Sequence, residues 1–183
     1  MTEDTQPKSQ DLLAKHLRIT EPSPWVARFA PLVPNNSWIL DLAAGGGRHG
    51  RHLMRLGCRS VFIDRNTTAL QDLLNVPNAK VINADLENGR DPFGPNGPLE
   101  AMTFEAIIVV NYLFRPLMAG LINAIAPGGV LIYETFSRGN EEFSRPRNPD
   151  HLLRSGELLS LVSGRMQVVA YEHGRLEITD IPG

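Results

Sequence analysis

The sequence predicts an α/β fold with a mostly parallel sheet and helices on both of its faces. Five short apolar runs alternate with helix-like segments, and a polar residue closes each run. Runs this apolar are typical of strands that are buried on both faces, as in parallel sheets. A glycine-rich stretch directly follows the first run, which is typical of ligand-binding α/β folds. The 183 residues are enough for a single domain, residues 1–183, with one core.

Two helices are predicted before the sheet begins. Residues 1–10 are polar and are expected to form a disordered tail. The leucine spacing over residues 11–19 predicts a short amphipathic helix. A second helix is predicted from Pro24 to Phe29, because proline is favoured in the first turn of a helix.

The five predicted strands cover residues 38–40, 60–63, 80–82, 106–110 and 130–133. Helices are predicted between them, mainly over residues 49–56, 68–74 and 115–125. The strands are followed by the polar residues Asp41, Asp64, Asn83, Asn111 and Glu134. Ligands of open α/β sheets bind at the carboxyl ends of the strands. These polar residues therefore predict a binding cleft at that edge.

The loop after the first strand begins with an acid and continues as Leu-Ala-Ala-Gly-Gly-Gly. The carboxylate of Asp41 would repel a pyrophosphate, whereas it suits a cofactor with a cationic amino group, such as S-adenosylmethionine. The same loop contains a G-x-G-x-x-G pattern at Gly45, Gly47 and Gly50, and Asp64 lies about where a dinucleotide fingerprint expects its acid. NAD is therefore the alternative ligand at this point.

Composition excludes several classes of function. The formal net charge is −2, which gives no electrostatic basis for a nucleic-acid or membrane-surface partner. No apolar run approaches the length of a membrane span. Cys58 is the sole cysteine, so we expect no disulfide within the chain, no cysteine-ligated zinc and no iron–sulfur cluster. A soluble cytoplasmic protein without a metal is expected.

Over residues 38–134 the chain resembles the class I S-adenosylmethionine-dependent methyltransferases. Their motif, acid-x-Gly-x-Gly-x-Gly, corresponds to residues 41–47, with Ala43 in place of the first glycine. Asp64, the Asn-Ala-Asp-Leu segment at 83–86 and the Ala-Pro-Gly-Gly entry at 126–129 also match the family. The resemblance implies a Rossmann-like methyltransferase sandwich that binds S-adenosylmethionine and yields S-adenosylhomocysteine.

The resemblance also implies roles for individual residues. Asp41 would anchor the methionine end of the cofactor, and Asp64 would accept hydrogen bonds from both ribose hydroxyls. Asp85 would accept from the exocyclic amine of adenine, against which Leu86 would pack. The other expected cofactor neighbours are Ala43, Ala44, Gly45, Gly46, Gly47, Arg48, His49, Arg65, Asn66, Ala84, Asn111 and Tyr112.

The methyl acceptor is expected at segments that follow the strands. Tyr112 is the best candidate for a catalytic residue, since the family places this segment beside the reactive methyl. The expected substrate-binding residues are Tyr112, Arg115, Glu134, Arg145 and Arg147. Arg145 and Arg147 belong to a long polar loop similar to one in bacterial methyltransferases of the tellurite-resistance (TehB-like) type. They could clamp a small anionic acceptor or, alternatively, pair with neighbouring acids to hold the loop.

The end of the chain departs from the family, which closes its sheet with an antiparallel hairpin. Residues 166–172 alternate well enough to predict a sixth strand, but the return over 175–181 is polar. The hairpin is therefore expected to be incomplete or irregular, with the natural chain continuing past Gly183. The leading function is methyl transfer to a small molecule by a monomer or homodimer. The alternatives are an NAD-dependent oxidoreductase and a non-catalytic S-adenosylmethionine-binding module.

Overall fold

A computed structural model describes residues 19–175 of the chain. The described residues divide into two compact units, one up to Glu134 and one from Thr135 onward. The predicted tail over 1–10 lies outside the described residues, as do nearly all of the predicted helix over 11–19 and of the return strand over 175–181. That the whole chain forms one domain stays a prediction.

The first unit is built on a parallel sheet with the strand order β3-β2-β1-β4-β5. Its strands are β1 (Trp38–Leu42), β2 (Arg59–Asp64), β3 (Ala79–Asn83), β4 (Phe104–Val110) and β5 (Ile125–Glu134). All five predicted strands are confirmed. The order reverses between β1 and β4, so the carboxyl end of β1 lies at the switch point where ligands of such sheets bind.

Helices of the first unit are short, and several predicted ones are tighter than an α-helix. The α-helices are α1 (Pro24–Phe29), α2 (Arg48–Arg55) and α3 (Met118–Asn123), and 3₁₀ turns cover Ala30–Leu32, Thr68–Leu73 and Arg115–Leu117. Helix α1 begins as predicted at Pro24, where the hydroxyl of Ser23 accepts a hydrogen bond from the Val26 amide at 3.0 Å. The predicted helix over 115–125 ends earlier, because Ile125 already pairs with Phe104 in the sheet.

Side chains on both faces of the central strands are buried. Consecutive residues such as Ile39 and Leu40 in β1, or Ile107 and Ile108 in β4, are fully inaccessible to solvent. A strand can bury consecutive side chains only when both faces of its sheet are covered. The predicted doubly covered sheet is therefore confirmed.

The second unit contains the 3₁₀ turns Asn140–Glu142 and Pro149–His151 and one α-helix, α4 (Glu157–Val162). Ser137 and Leu153 form an isolated parallel bridge. The sixth strand predicted over residues 166–172 is wrong, since the structure has no strand there. Alternation predicts which side chains share a face, but a strand also needs a hydrogen-bonded neighbour, and this segment has no ladder partner among the described residues.

Candidate functional site

The loop from β1 to α2 is held in a conformation that favours glycine. Backbone φ is positive at Ala43 (56°), Gly45 (55°) and Gly47 (72°). A side chain at Gly47 would lie 2.7 Å from Leu70 Cδ2, so this glycine is also required for packing. In contrast, no atom lies within 4 Å of the position that a side chain at Gly45 would occupy. The loop therefore packs tightly on one side and leaves open space above Gly45.

Asp41 lies in β1 just before this loop and is only 2% exposed. Its Oδ2 accepts a hydrogen bond from the backbone amide of Gly50 at 2.8 Å. Burial raises the pKa of Asp41 to about 7, and the nearby charge of Asp64 adds to the shift, while the Gly50 amide and the charge of Arg48 oppose it. The carboxyl group is thus poised to ionise when a cation approaches.

Asp64 connects the glycine loop to the end of β2. Its Oδ2 accepts from the Gly45 amide at 2.8 Å, and its Oδ1 accepts from the Asn66 amide at 2.9 Å. Asn66 in turn accepts from the Thr68 amide at 3.1 Å and so begins the 3₁₀ turn. A carboxylate has about four acceptor sites, so Asp64 can accept further hydrogen bonds from a ligand.

The segment after β3 borders a cleft of about 450 Å³. The cleft is lined by Ala84, Asp85 and residues of the loop over 88–98. Asp85 is exposed and uses Oδ1 to accept from the Glu87 amide at 2.9 Å, whereas Leu86 is buried. Asp85 therefore keeps one carboxylate oxygen for a ligand. The packing of Leu86 against adenine stays a prediction.

Hydrogen bonds connect the carboxyl ends of β4 and β5. The Asn111 amide donates to the Glu134 carbonyl at 2.9 Å, and φ of Asn111 is 57°. The hydroxyl of Tyr133 donates to the carbonyl of Tyr112, also at 2.9 Å. Tyr112 and Glu134, both predicted as acceptor-site residues, are therefore held at adjacent strand ends.

Two buried polar atoms, His49 Nε2 and Glu134 Oε2, have no hydrogen-bond partner among the described residues. Burial lowers the pKa of His49 to about 4, with the charge of Arg48 as the next cause. Burial also raises the pKa of Tyr112, and the negative charge of Glu87 and a hydrogen bond to its carboxylate raise it further. At neutral pH the imidazole and the phenol are therefore both uncharged.

Arg48 is a positive charge near two of the site's carboxylates. Burial lowers its pKa, and the charges of Glu134 and Asp41 oppose that shift. Its Nη1 donates to the carbonyl of Glu21 at 3.1 Å, which connects the segment before α1 to the first turn of α2.

Sequence reasoning did not identify Arg51, although this residue holds the glycine loop. Its guanidinium donates to the carbonyl of Gly46 at 3.1 Å and to both oxygens of Asp72 at 2.7 Å. Arg51 and Asp72 are 21 positions apart in the chain, and the residues between them carry no pattern that predicts this contact. Glu87, whose charge acts on Tyr112, was missed for the same reason.

Other predicted residues lie away from these contacts. Arg65 is exposed, and its carbonyl accepts from Asn83 Nδ2 at 3.2 Å. Arg115 begins the 3₁₀ turn that follows β4. Arg145 and Arg147 are exposed in the second unit, and their role in binding an acceptor stays a prediction.

Within residues 19–175 there is no group of three or more His, Cys, Asp or Glu side chains that could hold a metal ion. No helix in that range is long and apolar enough to cross a membrane.

Comparison of the sequence with protein-family models and with characterised proteins gives no match. The structure is similar to N-methyltransferase NodS from Bradyrhizobium japonicum WM9, at 16% identity and a TM-score of 0.57, over 87% of this chain and 84% of that one. It is also similar to a TehB-like SAM-dependent methyltransferase from Corynebacterium glutamicum, at 20% identity and a TM-score of 0.56, over 85% and 81% of the two chains.

A third similar structure is a putative methyltransferase from an antibiotic biosynthesis pathway of Anabaena variabilis, at 17% identity and a TM-score of 0.51. The match covers 75% of this chain and 58% of that one. The chain spans less than two-thirds of the length of several other matched structures as well. These likenesses confirm the predicted Rossmann-like methyltransferase fold, with a sheet that is not closed.

Proposed function

We propose that the chain is an S-adenosylmethionine-dependent methyltransferase that acts on a small-molecule acceptor. The observation that carries the proposal is the pair of carboxylates around the glycine loop: Asp64 is bonded to the Gly45 amide of the loop, and Asp41 to the Gly50 amide of the helix that follows it. The fold is shared with proteins named as methyltransferases, one of them a TehB-like SAM-dependent enzyme. Fold alone does not define a reaction, so the site's chemistry has to support it.

The residues present fit the cofactor. The buried carboxyl of Asp41 suits the cationic amino group of its methionine part, and the open space above Gly45 allows close approach of a ligand to backbone. Asp64 has acceptor sites left for two ribose hydroxyls, and Asp85 has a free carboxylate oxygen for the adenine amine. When bound, S-adenosylmethionine would supply an electrophilic methyl group on a sulfonium sulfur.

The protein's own part is to bind and align the acceptor. Tyr112 would act there as a hydrogen-bond donor, because its raised pKa keeps the phenol protonated. The carboxylate of Glu87 is the neighbouring group with which the acceptor would share this hydroxyl. We assign Tyr112 to positioning of the acceptor rather than to proton removal. A cytoplasmic location, a bacterial origin and a monomeric or homodimeric state are part of the same proposal.

Calorimetric and thermal-shift binding of S-adenosylmethionine, S-adenosylhomocysteine and NAD tests the cofactor. We expect micromolar binding of the two sulfur compounds, at least tenfold weaker in Asp64→Ala, since each charge-assisted hydrogen bond is worth about 1.5–3 kcal/mol. Asp64→Asn keeps one acceptor oxygen, so its affinity for the two sulfur compounds should lie between that of wild type and that of Asp64→Ala.

Binding of NAD alone would overturn the proposal in favour of an oxidoreductase. Turnover separates an enzyme from a non-catalytic binding module. The assay is release of S-adenosylhomocysteine from S-adenosylmethionine in the presence of amines, alcohols, thiols and carboxylates. If the cofactor binds but none of these acceptor classes yields product, the binding-module alternative is favoured.

A further inference from the structure

The chain contains two Asn-Gly dipeptides, Asn88-Gly89 and Asn96-Gly97. Both belong to the loop that follows β3, and the two asparagines line the same cleft. An asparagine before glycine is open to attack by the next backbone nitrogen, because glycine has no Cβ to hinder the approach. The two dipeptides have the same residues and differ only in how the fold holds them, so they can be compared within one loop.

The backbone nitrogen of Gly97 is hydrogen-bonded and enclosed. Its N–H donates to the carbonyl of Gly94 at 2.9 Å. A side chain at Gly97 would collide with the carbonyl oxygen of Pro92, so the loop backbone packs closely against this residue. The nitrogen of Gly97 can act as a nucleophile only after this hydrogen bond breaks and the local backbone moves.

The backbone nitrogen of Gly89 is free of such constraints. Its N–H donates no hydrogen bond to any of the described residues, and residues 87–90 are all exposed. Apart from its chain neighbours, no atom lies within 4 Å of the position that a side chain at Gly89 would occupy. This nitrogen can therefore lose its proton to a base in the solvent and approach the side chain that precedes it.

The side chain of Asn88 is held in an activated state. Its Oδ1 accepts a hydrogen bond from the Arg90 amide at 2.9 Å. When a nucleophile adds to Cγ, negative charge develops on Oδ1, and a backbone amide at that oxygen stabilises it as an oxyanion-hole donor does. At Asn96 the printed bond is of another kind, since its own amide donates to Glu100 Oε2 at 3.0 Å.

We infer that Asn88 is a site of spontaneous deamidation in the folded protein. The deprotonated nitrogen of Gly89 forms a bond to Cγ of Asn88, and the side-chain nitrogen takes up a proton and leaves as ammonia. The resulting succinimide adds one water molecule at one of its carbonyl carbons. Opening at Cγ gives aspartate, and opening at the main-chain carbonyl gives isoaspartate. Solvent water and base are the only co-reactants.

The modification changes the cleft, because the product carries a carboxylate where Asn88 carried a neutral amide. Asp85 lines the same cleft, so the new negative charge lies on the lining that already holds this acid. Isoaspartate also lengthens the main chain by one methylene group. The inference goes beyond the proposed function and does not depend on it, since the reaction needs only the loop and water.

The test follows both sites by peptide mass spectrometry while the full chain is incubated at pH 8, once in its native state and once in urea. Trypsin cleaves after Arg90, so positions 88 and 96 are found in different peptides. Deamidation is detected as the mass gain on replacement of NH2 by OH, and chromatography separates the aspartyl and isoaspartyl products. Asn88→Gln blocks the reaction, because its cyclic intermediate would need a larger ring, and Asn96→Gln is the matched control.

In urea we expect positions 88 and 96 to react at rates within about threefold of each other, since both are then unstructured Asn-Gly sequences. In the native chain, position 88 should react at least about tenfold faster than position 96, where a hydrogen bond must first break. The native modification should disappear in Asn88→Gln and continue unchanged in Asn96→Gln. Thermal melting of each variant shows that it is folded.

Three results would overturn the inference. The first is equal native rates at the two positions or a faster reaction at position 96. The second is a native rate at position 88 more than about tenfold below its rate in urea, because the fold would then protect Asn88. The third is an unchanged overall mass gain of the native chain in Asn88→Gln, which would place the reaction at another residue.

Discussion

Arg51 and Asp72 form a bidentate ion pair, with Nη1 and Nη2 each 2.7 Å from a carboxylate oxygen. The same guanidinium donates to the carbonyls of Gly46 and Ala69, both at 3.1 Å. One side chain thereby joins α2, the glycine loop and the 3₁₀ turn after β2. A planar guanidinium can serve all these acceptors at once, which an ammonium cannot.

Arg51→Lys is therefore expected to loosen the glycine loop. S-adenosylhomocysteine affinity should fall about tenfold, since a slightly misplaced binding loop loses much of its contact energy. The free energy of unfolding should fall by only about 1 kcal/mol, because the side chains of Arg51 and Asp72 are 31% and 62% exposed and solvent screens the pair. Calorimetry and chemical denaturation measure the two effects. Arg55→Lys, at an exposed position of the same helix, should change neither; equal effects of both variants would contradict the assignment.

Ala43→Gly is expected to stabilise the protein. Ala43 has a φ of 56°, a left-handed conformation that costs a residue with a Cβ about 1–2 kcal/mol and costs glycine almost nothing. Glycine also has a larger conformational entropy in the unfolded chain, which offsets part of this relief. We therefore expect the free energy of unfolding, measured by urea denaturation, to rise by about 0.5–1 kcal/mol. Ala44→Gly is the control: Ala44 is buried, has no positive φ and should lose stability. If both variants were less stable than wild type, glycine would not relieve strain at position 43.

Cofactor binding should release a proton from Asp41. The cationic amino group favours the ionised carboxylate, whose pKa is about 7 in the free protein. Affinity for S-adenosylhomocysteine should therefore rise between pH 5.5 and 7, by at most about tenfold per pH unit, and level off above pH 7. Titrations in buffers of different ionisation enthalpy measure the released proton. The pKa of His49, about 4, lies below this range, so His49 should contribute little.

Asp41→Asn separates ligand binding from stability. Folding raises the pKa of Asp41 from 3.8 to about 7, so the protonated carboxyl stabilises the fold fully at pH values below 3.8. That stabilisation is lost as pH rises through about 7. The amide does not ionise, so at pH 8 the variant should be more stable than wild type by on the order of 1–3 kcal/mol. It should also bind S-adenosylhomocysteine without proton release. Lower stability at pH 8 would contradict the burial argument.

Cys58 is expected to be chemically inert in the folded protein. The residue is 2% exposed, and burial raises the pKa of its thiol. Alkylation by iodoacetamide at pH 8 should therefore be far slower in the native chain than in urea, because the thiolate is the reactive form. Rapid alkylation of the native chain would point to an accessible thiol. Cys58→Ala should cost on the order of 1 kcal/mol by loss of packing.

Much of the first unit could be predicted from local patterns. Five apolar runs gave five strands, and the sequence Ser-Pro-Trp around Pro24 marked the start of α1. Asp64 was expected at the glycine loop and bonds to its Gly45 amide, and Asp41 bonds to the Gly50 amide of α2; their roles toward a cofactor stay predictions. These predictions succeed because strand burial, helix caps and glycine turns depend on residues close in sequence.

The failures have a different physical origin. Residues 166–172 alternate like a strand, but strand formation depends on a hydrogen-bonded neighbour, which alternation does not specify. Arg51 was missed because its acceptors lie in the loop before it and in a turn some twenty residues later. The unsatisfied state of Glu134 Oε2 is also invisible in sequence, since it depends on what every neighbouring side chain does.

The sequence by itself determined the class of fold, the position of the glycine loop and the acids at the strand ends, because short-range patterns of burial and backbone conformation specify these features. Only the tertiary structure decided which polar groups are paired with each other. Strand order brings β4 and β5 side by side, so that the Asn111 amide reaches the carbonyl of Glu134, 23 residues further along the chain. Hydrogen bonding and desolvation depend on distance in space, and residues far apart in the chain acquire that proximity only on folding.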